Sequence, residues 1–181
     1  MTESKYPPEG TPEAAPRLTV IVPIYNERHT IHEILRRVLA APIDLEVVAV
    51  DDGSTDDTVA VARSADVDRV VSIKHRGPAM ARNAGIQHAR GEIVLFTDAD
   101  CAPAPDWLAQ MVAPFADPQV QGVKGAYRTR QRAVIARLVQ LEYAIRYERM
   151  ARLPYVDFID TYAAAYRRDL LLSYGGFDAT Y

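Results

Sequence analysis

Two stretches, LTVIVPI at 18–24 and LEVVAV at 45–50, are almost wholly apolar and β-branched, with no alternation of apolar and polar residues. A strand of that kind is buried on both faces, as in parallel sheets covered by helices on either side. Between them, 27–40 carries Ile31, Ile34, Leu35, Val38 and Leu39 at helical spacing. The alternation then continues. A helix is expected through 65 with Thr55 as its cap, and Asp56 and Asp57 suit its positive end. A short strand is expected at 69–73 and a helix at 79–89, with Gly91 ending the turn after it. A fourth strand follows at 92–97. Four strands alternating with helices over about 80 residues imply right-handed βαβ units and a parallel sheet.

Beyond residue 100 the pattern loosens. The spacing predicts a helix over 105–115, with Pro105 in its first turn, and a strand over 120–127. A longer helix is expected at 133–152, with Val134, Leu138, Leu141 and Ile145 along one stripe. A strand at 162–166 and a short helix at 169–174 complete the series. Neither a repeat nor a linker interrupts 18–181, which reads as one α/β domain, and 181 residues are enough to enclose a core. The Pro- and Glu-rich segment 1–17 reads as a disordered arm without the apolar core of a secretion signal. A net charge of −3 gives no reason to expect nucleic acid. The single Cys101 excludes an internal disulfide and a cysteine cluster for zinc. No apolar run approaches the length of a bilayer.

Three strands are expected to end in polar loops at one sheet edge: Pro23-Ile24-Tyr25-Asn26-Glu27, Asp51-Asp52-Gly53-Ser54 and Asp98-Ala99-Asp100. Open α/β sheets bind ligands at the carboxyl ends of their strands. Asp98 and Asp100 present hard oxygen ligands suited to a divalent cation that also holds phosphate. Arg76 and Arg82 lie near a helix start between the second and third loops. Carboxylates, a metal and arginines around one crevice suit a nucleoside diphosphate. Each feature also has a plainer reading. The acidic pairs can cap turns, Arg82 can be a solvated helix residue, and Tyr25 can simply cover the sheet edge. Cys101 reads as packing, and His29 and His32 as surface.

The motifs VIVPIYNE, VVAVDDGSTDDT, GPAMARNAGI, GEIVLFTDAD and YGGFD occur in the order and approximate spacing of the family 2 glycosyltransferases. From about Leu18 onward the chain resembles that family, inverting enzymes with the GT-A fold. The resemblance implies a Rossmann-like α/β fold with a mostly parallel central sheet flanked by helices. It implies a nucleotide-binding part at 18–101 and the start of an acceptor part at 102–181. Pro23 and Tyr25 would frame the base, and Glu27 would lie near base and ribose. Asp52 would hydrogen-bond the base, and Arg82 would lie near base or diphosphate. Asp98 would contact ribose and help position the metal. Asp100 would ligate Mg²⁺ or Mn²⁺. The implied reaction moves a sugar from a UDP- or GDP-sugar to an acceptor hydroxyl or lipid phosphate with inversion, in cell-wall or polysaccharide synthesis. The family's general base, an Asp downstream of the segment matching 174–178, falls beyond Tyr181, so no catalytic base is expected among these residues. The alternative is a nucleotide-sugar-binding pseudoenzyme or an inactive fragment.

Rival chemistries lack their own marks. A sugar nucleotidyltransferase needs a glycine-rich loop after the first strand, where Pro23 to Glu27 has no glycine. An aspartyl phosphatase places its acidic pair after the first strand, and a dinucleotide oxidoreductase needs Gly-x-Gly-x-x-Gly. Segment 128–152 concentrates Arg128, Arg130, Arg132, Arg137, Arg146, Arg149 and Arg152 with Tyr143 and Tyr147. It reads as a solvated helix face or as a peripheral contact with an anionic acceptor or membrane surface. The expected location is cytoplasmic, at the inner face of the membrane if that contact forms.

Overall fold

A computed structural model describes residues 18–129, 131–156 and 158–180. The arm expected at 1–17, Arg130 and Tyr181 lie outside the described residues. Six strands form one sheet: β1 (Leu18–Ile24), β2 (Leu45–Asp51), β3 (Arg69–Ser72), β4 (Ile93–Thr97), β5 (Gly122–Lys124) and β6 (Ala163–Arg167). Their order is β3-β2-β1-β4-β6-β5. The first four run parallel, with Leu18 opposite both Leu45 and Ile93 and Ile24 opposite Asp51. β6 runs antiparallel to β4 and to β5.

The helices are α1 (Ile31–Leu39), α2 (Thr58–Arg63), α3 (Pro78–His88), α4 (Trp107–Val112), α5 (Val134–Met150) and α6 (Arg168–Ser173). On one sheet face, Val20, Val22 and Ile24 pack with Ile31, Ile34, Leu35 and Val38 of α1 and with Leu108 and Met111 of α4. On the other, Ile21, Val48, Val50, Val94 and Phe96 pack with Ala81 and Ile86 of α3 and Leu171 of α6. Burial on both faces is why β1 and β2 show no alternation. α3 lies close on β1 because of Gly85, where an added Cβ would stand 2.5 Å from Ile21 Cγ2.

The two polar residues inside these strands satisfy each other. The Thr19 hydroxyl donates to Glu46 Oε2 at 2.7 Å and accepts the Gly91 N–H at 2.9 Å. Glu46 also accepts the Arg90 N–H at 2.8 Å and Arg90 Nε at 2.9 Å. Burial pushes the Glu46 carboxyl up, but the Arg90 and Thr19 hydrogen bonds outweigh it and hold the group below the usual carboxylate range.

Several expected boundaries shift for local reasons. The first helix starts at Ile31 rather than 27, because Glu27 O accepts the Thr30 N–H at 3.1 Å and closes a turn first. Thr55 caps nothing: its N–H and hydroxyl both go to Asn26 Oδ1, at 2.9 and 3.3 Å, and α2 starts at Thr58. The helix expected at 105–115 divides into α4 and a 3₁₀ turn at Ala113–Ala116. The strand expected at 120–127 shrinks to the three residues of β5. The stripe Val134, Leu138, Leu141 and Ile145 faces solvent rather than a core, and no residue of α5 is buried. The Tyr147 hydroxyl ties α5 down by accepting the Tyr127 N–H at 3.0 Å and bonding the Tyr162 hydroxyl at 2.9 Å. Among the described residues, no helix is long and apolar enough to cross a membrane.

Candidate functional site

The carboxyl ends of β1, β2 and β4 meet at one edge, and the three polar loops expected from the sequence emerge there. The first two are stitched together. The Asp52 N–H donates to Ile24 O at 2.9 Å, and the Asn26 N–H to Ser54 Oγ at 3.0 Å. Asn26 adopts φ +55°, a left-handed conformation that Asn tolerates better than most residues. Asp51 supports its own turn, with Oδ1 accepting the Ser54 N–H at 2.9 Å.

Asp52 is buried, at 4% exposure, and its carboxylate is heavily engaged. Oδ1 accepts the Arg76 N–H at 2.8 Å. Oδ2 accepts the Gly77 N–H at 2.9 Å and lies 2.9 Å from His75 Nδ1. The main act of Asp52 in this structure is therefore to hold loop 75–77 against the sheet edge. Gly53, at φ +77°, permits this approach: a Cβ there would stand 2.9 Å from the His75 nitrogen. The Tyr25 ring stacks on the His75 ring, with centroids 4.3 Å apart and planes tilted by 22°. Pro23 is half-buried at the end of β1. Glu27 is half-buried beside it, and its carboxylate accepts the Thr30 hydroxyl at 2.6 Å.

Arg82 projects from α3 and is only 8% exposed. Its Nη2 donates to Asp98 Oδ1 at 2.7 Å, whereas its buried Nε has no hydrogen-bond partner among the described residues. Burial raises the Asp98 carboxyl above its ordinary range, and the nearby Arg82 charge only partly offsets this. Asp100, two residues on, is exposed. Burial, then the charges of Asp100 and Asp98, push the Cys101 thiol up to about 11. Cys101 is thus a packed thiol rather than a nucleophile at neutral pH.

Tyr25, Asp52, Arg82 and Asp98 are gathered at this edge, with Asp100 beside them. Two residues passed over in the sequence belong to the same construction. His75 carries no motif of its own; only its place three residues past the end of β3 could have marked it. Asn83 is the other: its Nδ2 donates to Phe177 O at 2.8 Å and its Oδ1 accepts the Phe177 N–H at 2.7 Å. That partner lies 94 residues away, so no local signal exists.

A divalent cation fits the donor set. Asp98 and Asp100 offer two carboxylates from one loop, and among the described residues no group of three His, Cys, Asp or Glu side chains converges. Mg²⁺ is commonly held in this way, by one or two carboxylates plus substrate phosphates and water. The unpartnered Arg82 Nε adds a buried donor beside the same loop.

A mostly parallel sheet with one antiparallel strand, β6, set between β4 and β5, and an acidic carboxyl edge, is the architecture of the GT-A class of nucleotide-diphospho-sugar transferases. The family model "Glycosyl transferase family 2" matches residues 19–175, and the chain belongs to that family. It is similar to the mannosyltransferase PcManGT of Pyrobaculum calidifontis, solved with GDP-Man and Mn²⁺, at TM-score 0.74 and 34% identity, over 97% of this chain and 52% of that one. It is also similar to the glucosyl-3-phosphoglycerate synthase of Mycobacterium tuberculosis, solved with Mn²⁺, UDP and glucosyl-3-phosphoglycerate, at TM-score 0.64 and 29% identity, over 88% and 60% of the two chains. Among curated proteins it is 33% identical over 112 residues to the undecaprenyl-phosphate 4-deoxy-4-formamido-L-arabinose transferase of Sodalis glossinidius, covering 56% of this chain and 34% of that protein. The chain thus spans between about a third and three-fifths of the proteins it resembles.

Proposed function

We propose that this domain binds a UDP- or GDP-sugar with Mg²⁺ or Mn²⁺ and serves its transfer, with inversion, to an acceptor hydroxyl or lipid phosphate. The observation that carries this reading is the Arg82–Asp98 pair, at 2.7 Å, beside the exposed Asp100 on the sheet edge that also presents Tyr25 and Asp52. Tyr25 and Pro23 frame the base, with Glu27 near the ribose. Asp98 contacts the ribose and helps place the cation, and Asp100 ligates it. Arg82 brings a fixed positive charge and an uncommitted Nε donor to the diphosphate. A bound divalent cation supplies charge neutralisation on the departing diphosphate. Arg82 is buried and Asp98 part-buried, so this pair acts in a lower dielectric than water. Attack from the face opposite the leaving group inverts the anomeric centre. Proton removal from the acceptor is assigned to none of the described residues.

The lipid-phosphate acceptor is supported by the undecaprenyl-phosphate relative and by α5. That helix exposes Val134, Ile135, Leu138, Leu141 and Ile145 among Arg137, Arg146 and Arg149. Apolar side chains set among arginines suit contact with an anionic membrane surface, and a location in the cytoplasm at the inner membrane face is part of the proposal. Release of UDP or GDP from nucleotide-sugars in the presence of a polyprenyl phosphate tests the transfer. The reading predicts release that Asp98→Asn abolishes; no release with any donor–acceptor pair would overturn it. Sedimentation with anionic vesicles should be strong at low salt and lost at high salt.

A further inference from the structure

We infer that His75 is a positioning residue for nucleobase binding: it relays the buried Asp52 carboxylate to the Tyr25 ring and holds that ring flat as a stacking platform. The inference rests on the nucleotide reading above. It gives Asp52 a second part, through His75, beside a direct hydrogen bond to the base.

The chain of contacts is continuous. Loop 73–77 is fixed at the sheet edge by the Ile73 N–H donating to Asp51 O at 2.8 Å and by the Arg76 and Gly77 N–H groups donating to Asp52. His75 Nδ1 lies 2.9 Å from Asp52 Oδ2 and 3.0 Å from Asp52 O. Both atoms are acceptors, so Nδ1 carries the proton. That donation sets the tautomer and fixes the ring rotation. With its plane fixed, the imidazole face lies against the Tyr25 ring at 4.3 Å.

The stacked pair sits in the solvent, not in a core. His75 is exposed, and Tyr25 retains 42% exposure after the stacking. Two stacked rings, tilted by only 22° and left open at the sheet edge, offer a flat face that matches a planar base. Base–aromatic stacking is a main source of affinity for a planar base, and it is strongest when the ring lies parallel to that base. Tyr25 lies just past the end of β1, and the His75 ring stands behind its own.

The test compares two probes on the full chain by calorimetry: UDP and GDP with Mn²⁺, and pyrophosphate with Mn²⁺. Pyrophosphate reports the metal and phosphate contacts without a base. His75→Ala is expected to weaken UDP and GDP about tenfold and to leave pyrophosphate unchanged. His75→Phe, which keeps a flat ring behind Tyr25 but cannot donate to Asp52, is expected to recover little of the loss. Unchanged nucleotide affinity in His75→Ala would overturn the inference. So would an equal loss for pyrophosphate, which would point to collapse of the loop, and so would a His75→Phe protein that binds as tightly as the unsubstituted chain. Failure of the unsubstituted protein to bind either nucleotide while it binds Mn²⁺–pyrophosphate would sink the nucleotide reading itself.

Discussion

Arg82 Nη2 donates to Asp98 Oδ1 at 2.7 Å, while the Nε of the same guanidinium is buried without a partner among the described residues. One half of the fork is committed to the acidic loop and the other half is in reserve. A buried N–H left unmade is costly, and the guanidinium beside Asp98 keeps a fixed positive charge at the acidic edge.

Arg82→Ala is therefore expected to weaken UDP or GDP binding by about 10–100-fold, the range for losing a hydrogen bond between charged groups. Arg82→Lys should recover only part, because an ammonium lacks the planar fork. Titration calorimetry with Mn²⁺ present reads both. Equal affinity in all three proteins would remove Arg82 from the site.

The Glu46 latch should set acid stability. Its carboxyl is held below the usual range in the folded chain. Its stabilisation is therefore fully present above the unfolded value of about 4.3 and is lost as pH falls through the folded value. Glu46→Ala leaves the Thr19 hydroxyl and the Arg90 N–H without their acceptor, at a cost of about 3 kcal/mol at neutral pH. Urea unfolding across pH 3–7 should show a shallower slope for Glu46→Gln than for the unsubstituted chain.

Asn83 clamps the segment after α6. Gly176, at φ +87°, allows it: a Cβ there would stand 2.3 Å from Asn83 Oδ1. Phe177 then packs against Phe96 with ring centroids 5.2 Å apart. Gly176→Ala and Asn83→Ala should each destabilise by about 2–3 kcal/mol and speed amide exchange at 177–180. Exchange at those amides as slow as in the unsubstituted protein would contradict the clamp.

Cys101, raised to about 11, should stay protonated at pH 8. Iodoacetamide should modify it about 100-fold more slowly in the folded than in the unfolded chain, whose thiol titrates near 8.5. The folded rate should climb until about pH 11. A plateau near pH 9 would contradict the burial of this thiol beside two carboxylates.

The sheet was legible because burial on both faces writes β1, β2 and β4 as almost wholly apolar runs, broken inside only by the paired Thr19 and Glu46. The acidic edge was legible because these runs stop abruptly at Asp51, Asp52 and Asp98. Thr55 misled because it follows the cap pattern locally, while Asn26, 29 residues away, claims its donors. β5 was over-read because a three-residue edge strand holds too few residues to show a period. The α5 stripe has helical spacing, but spacing does not say whether a partner covers it. His75 and Asn83 act only through contacts with distant loops, Asp52 and Phe177, that exist once the chain is folded.

Thermal unfolding with UDP and GDP, with and without Mn²⁺, in the unsubstituted chain and in Asp100→Ala tests the central claim most directly. Asp100 is exposed, so its loss should leave the unliganded melting temperature unchanged. Saturating nucleotide with Mn²⁺ should raise the melting temperature of the unsubstituted chain by about 5–10 °C. Omission of the metal or the Asp100→Ala substitution should abolish that rise. A rise of the same size in Asp100→Ala would contradict the account.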